Sequence, residues 1–99
     1  MLEKIMQQMQ SQTDDAKKKL DTIFVEAEAE NGMVKVTSNG NKKITNITIS
    51  DEIADDKEAI EDLMIIAVNR ALEEADKVNE KEMGSIAQNM LPGMGNIFG

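Results

Sequence analysis

Along the first twenty residues Leu2, Ile5, Met9, Ala16 and Leu20 recur at three- and four-residue spacing, broken by Gln12 and Thr13, with charged side chains on the other faces. This predicts an amphipathic helix over residues 2–20 whose narrow stripe suits pairing with one other helix. From Ile23 the period drops to two: Ile23, Val25, Ala27 and Ala29 fall on one side, and Glu26, Glu28 and Glu30 on the other. Asn31-Gly32, a dipeptide favoured in tight hairpin turns, leads into Met33-Val34-Lys35-Val36-Thr37, which alternates again. Asn39-Gly40-Asn41 is a second turn signal, followed by a third alternating run, Lys43 to Ser50. Within that run Ile47 and Ile49 are in phase and Ile44 is not. A bulge near Thr45-Asn46 puts all three on one face; without it, Ile44 faces the other way. The expected unit is an antiparallel three-stranded meander with one polar face.

The period then returns to that of a helix. Asp55 and Glu58 have the spacing of an N-cap and its capping-box partner, and Asp56, Glu58 and Glu61 place negative charge in the first turn. Ile60, Leu63, Met64, Ala67, Ala71, Ala75 and Val78 form an inward stripe, but Ile65, Ile66, Val68 and Leu72 lie outside it. Around Leu63 to Val68 the helix is apolar on all sides, more than one sheet face covers, so these four residues are expected at a homodimer interface. Gly84 is expected to end or kink this helix, with Ser85 to Leu91 forming a short C-terminal helix before Pro92. The expected fold is α+β: helix, three-stranded meander, long helix and short C-terminal helix, in an intertwined or tightly packed homodimer. Residues 1–91 form one α-β-β-β-α domain, and the glycine-rich residues 92–99 a flexible tail.

Composition narrows the function classes. The chain has no Cys and no His, so the usual thiol nucleophile, imidazole base and zinc ligands are missing, and no catalysis, cofactor, metal or small-molecule substrate is expected. Asp51-Glu52-Ile53-Ala54-Asp55-Asp56 lacks the ordered pattern of a calcium loop and reads as a helix-capping connection. The longest apolar run is Leu63 to Val68, and the N-terminus has no apolar signal region, so a cytoplasmic protein without membrane contact is expected. Two phenylalanines are the only aromatic residues, which leaves packing to aliphatic side chains and eight methionines, Met6, Met9 and Met64 among them as core or interface filler.

The net charge of −8 is unevenly placed: residues 1–50 carry seven basic and seven acidic side chains, and residues 51–99 four basic and twelve acidic. The acidic total argues against general polyanion binding but leaves room for a local basic patch in the first half.

The ordered set Val25-Glu26-Ala27-Glu28-Ala29, Gly32-Met33-Val34-Lys35-Val36, Gly40, Glu61-Asp62-Leu63, Ala67-Val68-Asn69-Arg70-Ala71, Met83-Gly84 and Leu91-Pro92-Gly93 resembles the YbaB/EbfC family of bacterial nucleoid-associated proteins. The resemblance spans almost the whole chain. It implies a homodimer whose helices project from a central sheet region like tweezer arms, with double-stranded DNA as partner, little sequence preference, and no catalysis. It also implies association with the nucleoid and an influence on chromosome organisation or gene expression.

By charge, the candidate phosphate contacts are Lys17, Lys18 and Lys19, with Lys4 on the same helix and Lys42 and Lys43 at the second sheet turn. The same lysines also suit a solvated face that complements the helix dipole, and on sequence alone both readings stand. No aromatic residue interleaves with them, and Arg70 is the sole arginine, so base stacking and bidentate guanine readout have few means. Asn69 reads as a structural amide, satisfying backbone groups or pairing across a dimer. The rival function is a dimeric adaptor whose acidic half engages a basic protein partner without significant DNA binding.

Overall fold

The alternating segments form a three-stranded antiparallel sheet in sequential order, flanked by two helices. The computed structural model describes residues 2–90: α1 (Leu2–Leu20), β1 (Phe24–Ala29), β2 (Val34–Asn39), β3 (Ile44–Ile49), a short 3-10 turn (Asp51–Ile53) and α2 (Lys57–Met90). The expected tail, residues 92–99, lies outside the described residues. Asn31 and Gly32 have φ of 55° and 88°, and the Met33 amide donates to the Glu30 carbonyl at 3.2 Å, the geometry of a type I′ hairpin turn. Its twist matches that of the strands it joins. The second turn is a three-residue loop: the Lys42 amide donates to the Asn39 carbonyl at 3.1 Å, and Lys42 itself takes a left-handed φ of 64° before β3 begins.

The out-of-phase isoleucine is resolved by a bulge. Val34 pairs with Ile49, Val36 with Ile47 and Ser38 with Ile44, while the register shifts between Thr37 and Ser38 so that Thr45 is the extra residue. Ile44, Ile47 and Ile49 therefore share the face that carries Val34 and Val36. α2 lies across that face with its smallest side chains against the strands. Ala67, Ala71 and Ala75 are fully buried, and Ala29, Val34 and Val36 meet this stripe, with Ala27, Ile53, Leu63 and Val68 around it. Alanines at a four-residue repeat let the helix axis approach the sheet closely. On β1, Arg70 adds a tie: its Nη1 donates to the Glu28 carbonyl at 2.9 Å. Phe24 points away from this core and is exposed.

Two expectations about α2 need correction. Its N-cap is Asp56 rather than Asp55: the Asp56 carboxylate accepts from the Ala59 amide at 3.1 Å, three residues on, which leaves Glu58 outside any capping box. The helix also runs unbroken through Gly84 to Met90, so there is no separate short C-terminal helix within residues 57–90. A lone glycine costs a helix only about 1 kcal/mol relative to alanine, which the flanking turns absorb. At 34 residues α2 is about 50 Å long and overshoots a sheet whose six-residue strands span about 20 Å. The molecule is correspondingly elongated, 62 × 26 × 16 Å.

Beyond the sheet, α2 packs against the C-terminal half of α1. Ala16 and Leu20 are buried there, Lys19 Nζ lies 3.1 Å from Glu82, and Met83 and Ile86 are half-buried. The pairing of Leu20 near Asn79 and Lys19 near Glu82 sets the two helices antiparallel, as a projecting arm. Met6 and Met9, expected as filler, are exposed on that arm.

Candidate nucleic-acid interface

The lysine cluster is assembled by one polar junction where α1, the β2–β3 turn and α2 meet. Gly40 stands at its centre, its amide donating to the carbonyls of Leu20 and Ile23, both at 2.9 Å. Its own carbonyl accepts from Asn79 Nδ2 of α2 at 3.1 Å. A side chain there would place its Cβ 2.7 Å from Leu20 Cδ2 and 2.9 Å from the Leu20 carbonyl oxygen, so the close approach of turn to helix requires glycine. Two asparagines flank it. Asn39 Oδ1 accepts the amides of Asn41 (2.9 Å) and Lys43 (3.1 Å), while Asn41 Nδ2 donates to the Lys17 carbonyl (2.8 Å) and to Asp21 Oδ1 (2.6 Å). These bonds lock the last turn of α1 beside the turn that carries Lys42 and Lys43.

Lys17, Lys18, Lys19, Lys42 and Lys43 are thus gathered at one end of the sheet, all exposed. Lys4 is not among them: thirteen residues back along α1, it lies about 20 Å further out on the arm. Two of the gathered lysines face acids of α2. Lys19 meets Glu82 at 3.1 Å and Lys42 meets Asp76 at 3.3 Å. Exposed pairs of this kind contribute about 0–1 kcal/mol, so a phosphate oxygen can displace either acid at small cost. Asp76 and Glu73 nonetheless line a hollow with Lys42, Asn69 and Leu72, so the middle of α2 presents an acidic flank beside the lysines.

The four apolar residues expected outside the helix stripe divide between two flanks. Ile65 and Val68 line a shallow apolar groove with Glu61, Met64 and Asn69, and Leu72 lines the adjoining hollow toward Lys42. Ile66 belongs to neither: one helical step from Ile65, it is turned by about 100° onto another flank, where it is exposed. The groove lies on the side of α2 that faces β3, and the sheet there is open. Ile44 and Ile47 remain 37% and 42% exposed although they share a face with the fully buried Val34 and Val36. Asn69 is exposed along this same flank rather than buried among backbone groups.

Sequence reading located the lysines but not what positions them. Asp21, Asn79 and Leu20 carried no signal of a shared junction, since their partners in the Asn39-Gly40-Asn41 turn are distant from each in sequence. Asn39-Gly40-Asn41 was legible as a turn only.

With this geometry in view, residues 1–90 match the YbaB/EbfC DNA-binding family. The chain belongs to that family. It is 34% identical to a nucleoid-associated protein of Flavobacterium johnsoniae, over 94% of this chain and 91% of that one. It is 41% identical to a nucleoid-associated protein of Neisseria meningitidis serogroup C, over 98% and 91%. The fold matches the crystal structure of an uncharacterized Helicobacter pylori protein with a TM-score of 0.75 at 24% identity, covering 91% of this chain and 92% of the other. The family is one of DNA-binding proteins rather than enzymes. Among the described residues no helix is long and apolar enough to cross a membrane.

Proposed function

We infer that this family member works as a homodimer that binds double-stranded DNA through its phosphates, with low sequence preference, in the bacterial nucleoid. The observation that carries the reading is the junction at Gly40, which fixes five exposed lysines from two separate elements on one end of a chain whose net charge is −8. A basic cluster that persists against an acidic background, held by a network of backbone-directed hydrogen bonds, is suited to phosphate contact. In a dimer the cluster occurs twice, and Lys4 adds a contact further along each arm. One arginine, tied to the Glu28 carbonyl, leaves little for reading base edges.

The open flank supports the dimer. Ile65, Val68 and Leu72 on α2, with Ile44 and Ile47 on β3, present apolar side chains to one side, and a second copy covers them without touching the lysine end. Ile66 takes no part unless the partner wraps around the helix. Influence on chromosome organisation or gene expression follows from many such dimers along a chromosome.

The test is a gel-shift titration of the wild type and a Lys17→Glu, Lys18→Glu, Lys19→Glu variant over a salt series. The wild type is expected to lose affinity steeply with salt, and the variant to bind at least about tenfold more weakly with a salt slope shallower by about one unit per lost contact. A folded wild type that fails to shift duplex DNA at low salt overturns the reading and favours an adaptor for a basic protein.

A further inference from the structure

The outer half of α1 carries an apolar stripe that no described element covers. Leu2, Ile5, Met6 and Met9 are between 48% and 73% exposed, and they lie in line with Ala16 and Leu20, which α2 buries. Measured from the Lys19–Glu82 pair at about 1.5 Å per residue, α2, followed to Met90, comes level with residue 11 of α1. Leu2 to Met9 lie beyond that level.

Charge, symmetry and length all fit a second copy of the same helix. Residues 2–13 hold one acid, Glu3, and one base, Lys4, in a chain of net charge −8, so two copies approach here without the repulsion between their acidic halves. The four stripe positions are symmetric about the midpoint between Ile5 and Met6. An antiparallel copy therefore sets Leu2 opposite Met9 and Ile5 opposite Met6, an apolar side chain against each apolar side chain. In that register the second copy's Leu2 is level with Met9, just past the level of Met90. The incoming helix continues the line of α2, and the carbonyl end of α2, with no basic residue in its last turn, points at the amide end of the newcomer. A parallel copy would bring the two α2 helices into the same space, because each lies on the continuation of the stripe.

We propose that Leu2, Ile5, Met6 and Met9 pair antiparallel with the same stripe of a second copy that belongs to another dimer, so that the arms join dimers into larger assemblies. The placement between dimers rests on the homodimer inferred above, whereas the pairing of the arms does not. Two such stripes bury on the order of several hundred Å², below the ~1,200 Å² of a stable specific interface, so the contact is weak between free dimers. It strengthens when DNA holds dimers side by side at high local concentration. Lys4 is exposed and turned about 150° from the middle of the stripe, so a paired arm still offers it to phosphate.

The chain has no cysteine, so single cysteines report contact between copies. Full-length Met6→Cys, Met9→Cys and Gln7→Cys variants are oxidised with glutathione disulfide and resolved on a non-reducing denaturing gel. In the antiparallel register Met6 is about 1.5 Å along the axis from its counterpart, and Met9 about 10 Å from its own, beyond disulfide reach. Gln7, on the opposite face, controls for random collision. Met6→Cys is expected to link at least about tenfold faster than Gln7→Cys and Met9→Cys no faster than that control, while a mixture of Met9→Cys and Leu2→Cys links again. Met6→Cys linking no faster than Gln7→Cys overturns the proposal. Equal linkage by Met9→Cys alone also overturns it, since that marks parallel or unspecific contact. Adding Ile47→Asp, which breaks the inferred dimer, is expected to leave the Met6→Cys linkage in place, so loss of the dimer and loss of the arm contact are read separately. In light scattering the linked Met6→Cys protein is expected to have the mass of four or more chains. A mass of two chains overturns the placement between dimers, and the mass of the reduced wild type then shows whether the dimer itself is lost.

Discussion

β2 and β3 offer the same kind of side chain to the same side of one sheet, and their fates differ. Val34 and Val36 are fully buried beneath Ala67 and Ala71, whereas Ile44 and Ile47, paired with Ser38 and Val36, stay more than a third exposed. α2 is one helix wide, about 10 Å with its side chains, and it lies mainly over β1 and β2, touching β3 only marginally. An apolar pattern thus specifies which face turns inward, while the width of the covering layer decides how many strands it serves. The open flank beside β3 is one place where this chain has burial left to complete.

The sharpest way to break the comparison is to put the same charge on both strands. Val36→Asp buries an unpaired carboxylate under α2 and is expected to lower stability by at least about 3 kcal/mol in urea denaturation at fixed protein concentration. Ile47→Asp, its cross-strand neighbour, is expected to leave the far-ultraviolet dichroism unchanged while light scattering shows the mass of a monomer. A loss of fold as severe as that of Val36→Asp would show that β3 is covered within the single chain. Gly40→Ala probes the tightness of the covered side. Its Cβ meets the Leu20 side chain and carbonyl, and a cost of about 2 kcal/mol is expected in the same measurement.

The two flanks of α2 can be separated next. Ile65→Ser is expected to raise the dimer dissociation constant about tenfold, the equivalent of about 1.4 kcal/mol, in analytical ultracentrifugation, and Ile66→Ser to change it less than about twofold. Equal effects would mean that the partner wraps around the helix. The smallest effect lies outside both flanks. Glu30 holds a left-handed φ of 51° at the β1–β2 turn, and Glu30→Gly is expected to raise stability by about 1 kcal/mol, read as an increase in melting temperature.

Much of the fold was legible because its signals are local. The change of period at Ile23, Asn31-Gly32 at the turn and the phase slip at Ile44 each depend on a few adjacent residues, and each has its structural counterpart. The errors lie where one local signal competes with its neighbours. Asp55 and Asp56 are equally good caps by type, and only the position of the Ala59 amide selects Asp56. Gly84 resembles a stop, yet α2 passes through it. The lysine cluster was half legible: charge picked out its members, but nothing in the chain order brings Lys17 to Lys42, and Lys4, equally basic, is left about 20 Å away.

By itself the sequence determined the order and type of the elements, the face that each strand turns inward, and the absence of histidine and cysteine, because these depend on residue identity and short-range spacing. It also placed the apolar excess on the middle of α2. Only the tertiary structure decided that the excess splits between two flanks, that β3 is left uncovered, and that the lysines of α1 and of the second turn stand together. Those outcomes depend on where a helix of fixed width comes to rest on a sheet and on one close approach at Gly40, distances that exist only once the chain has folded.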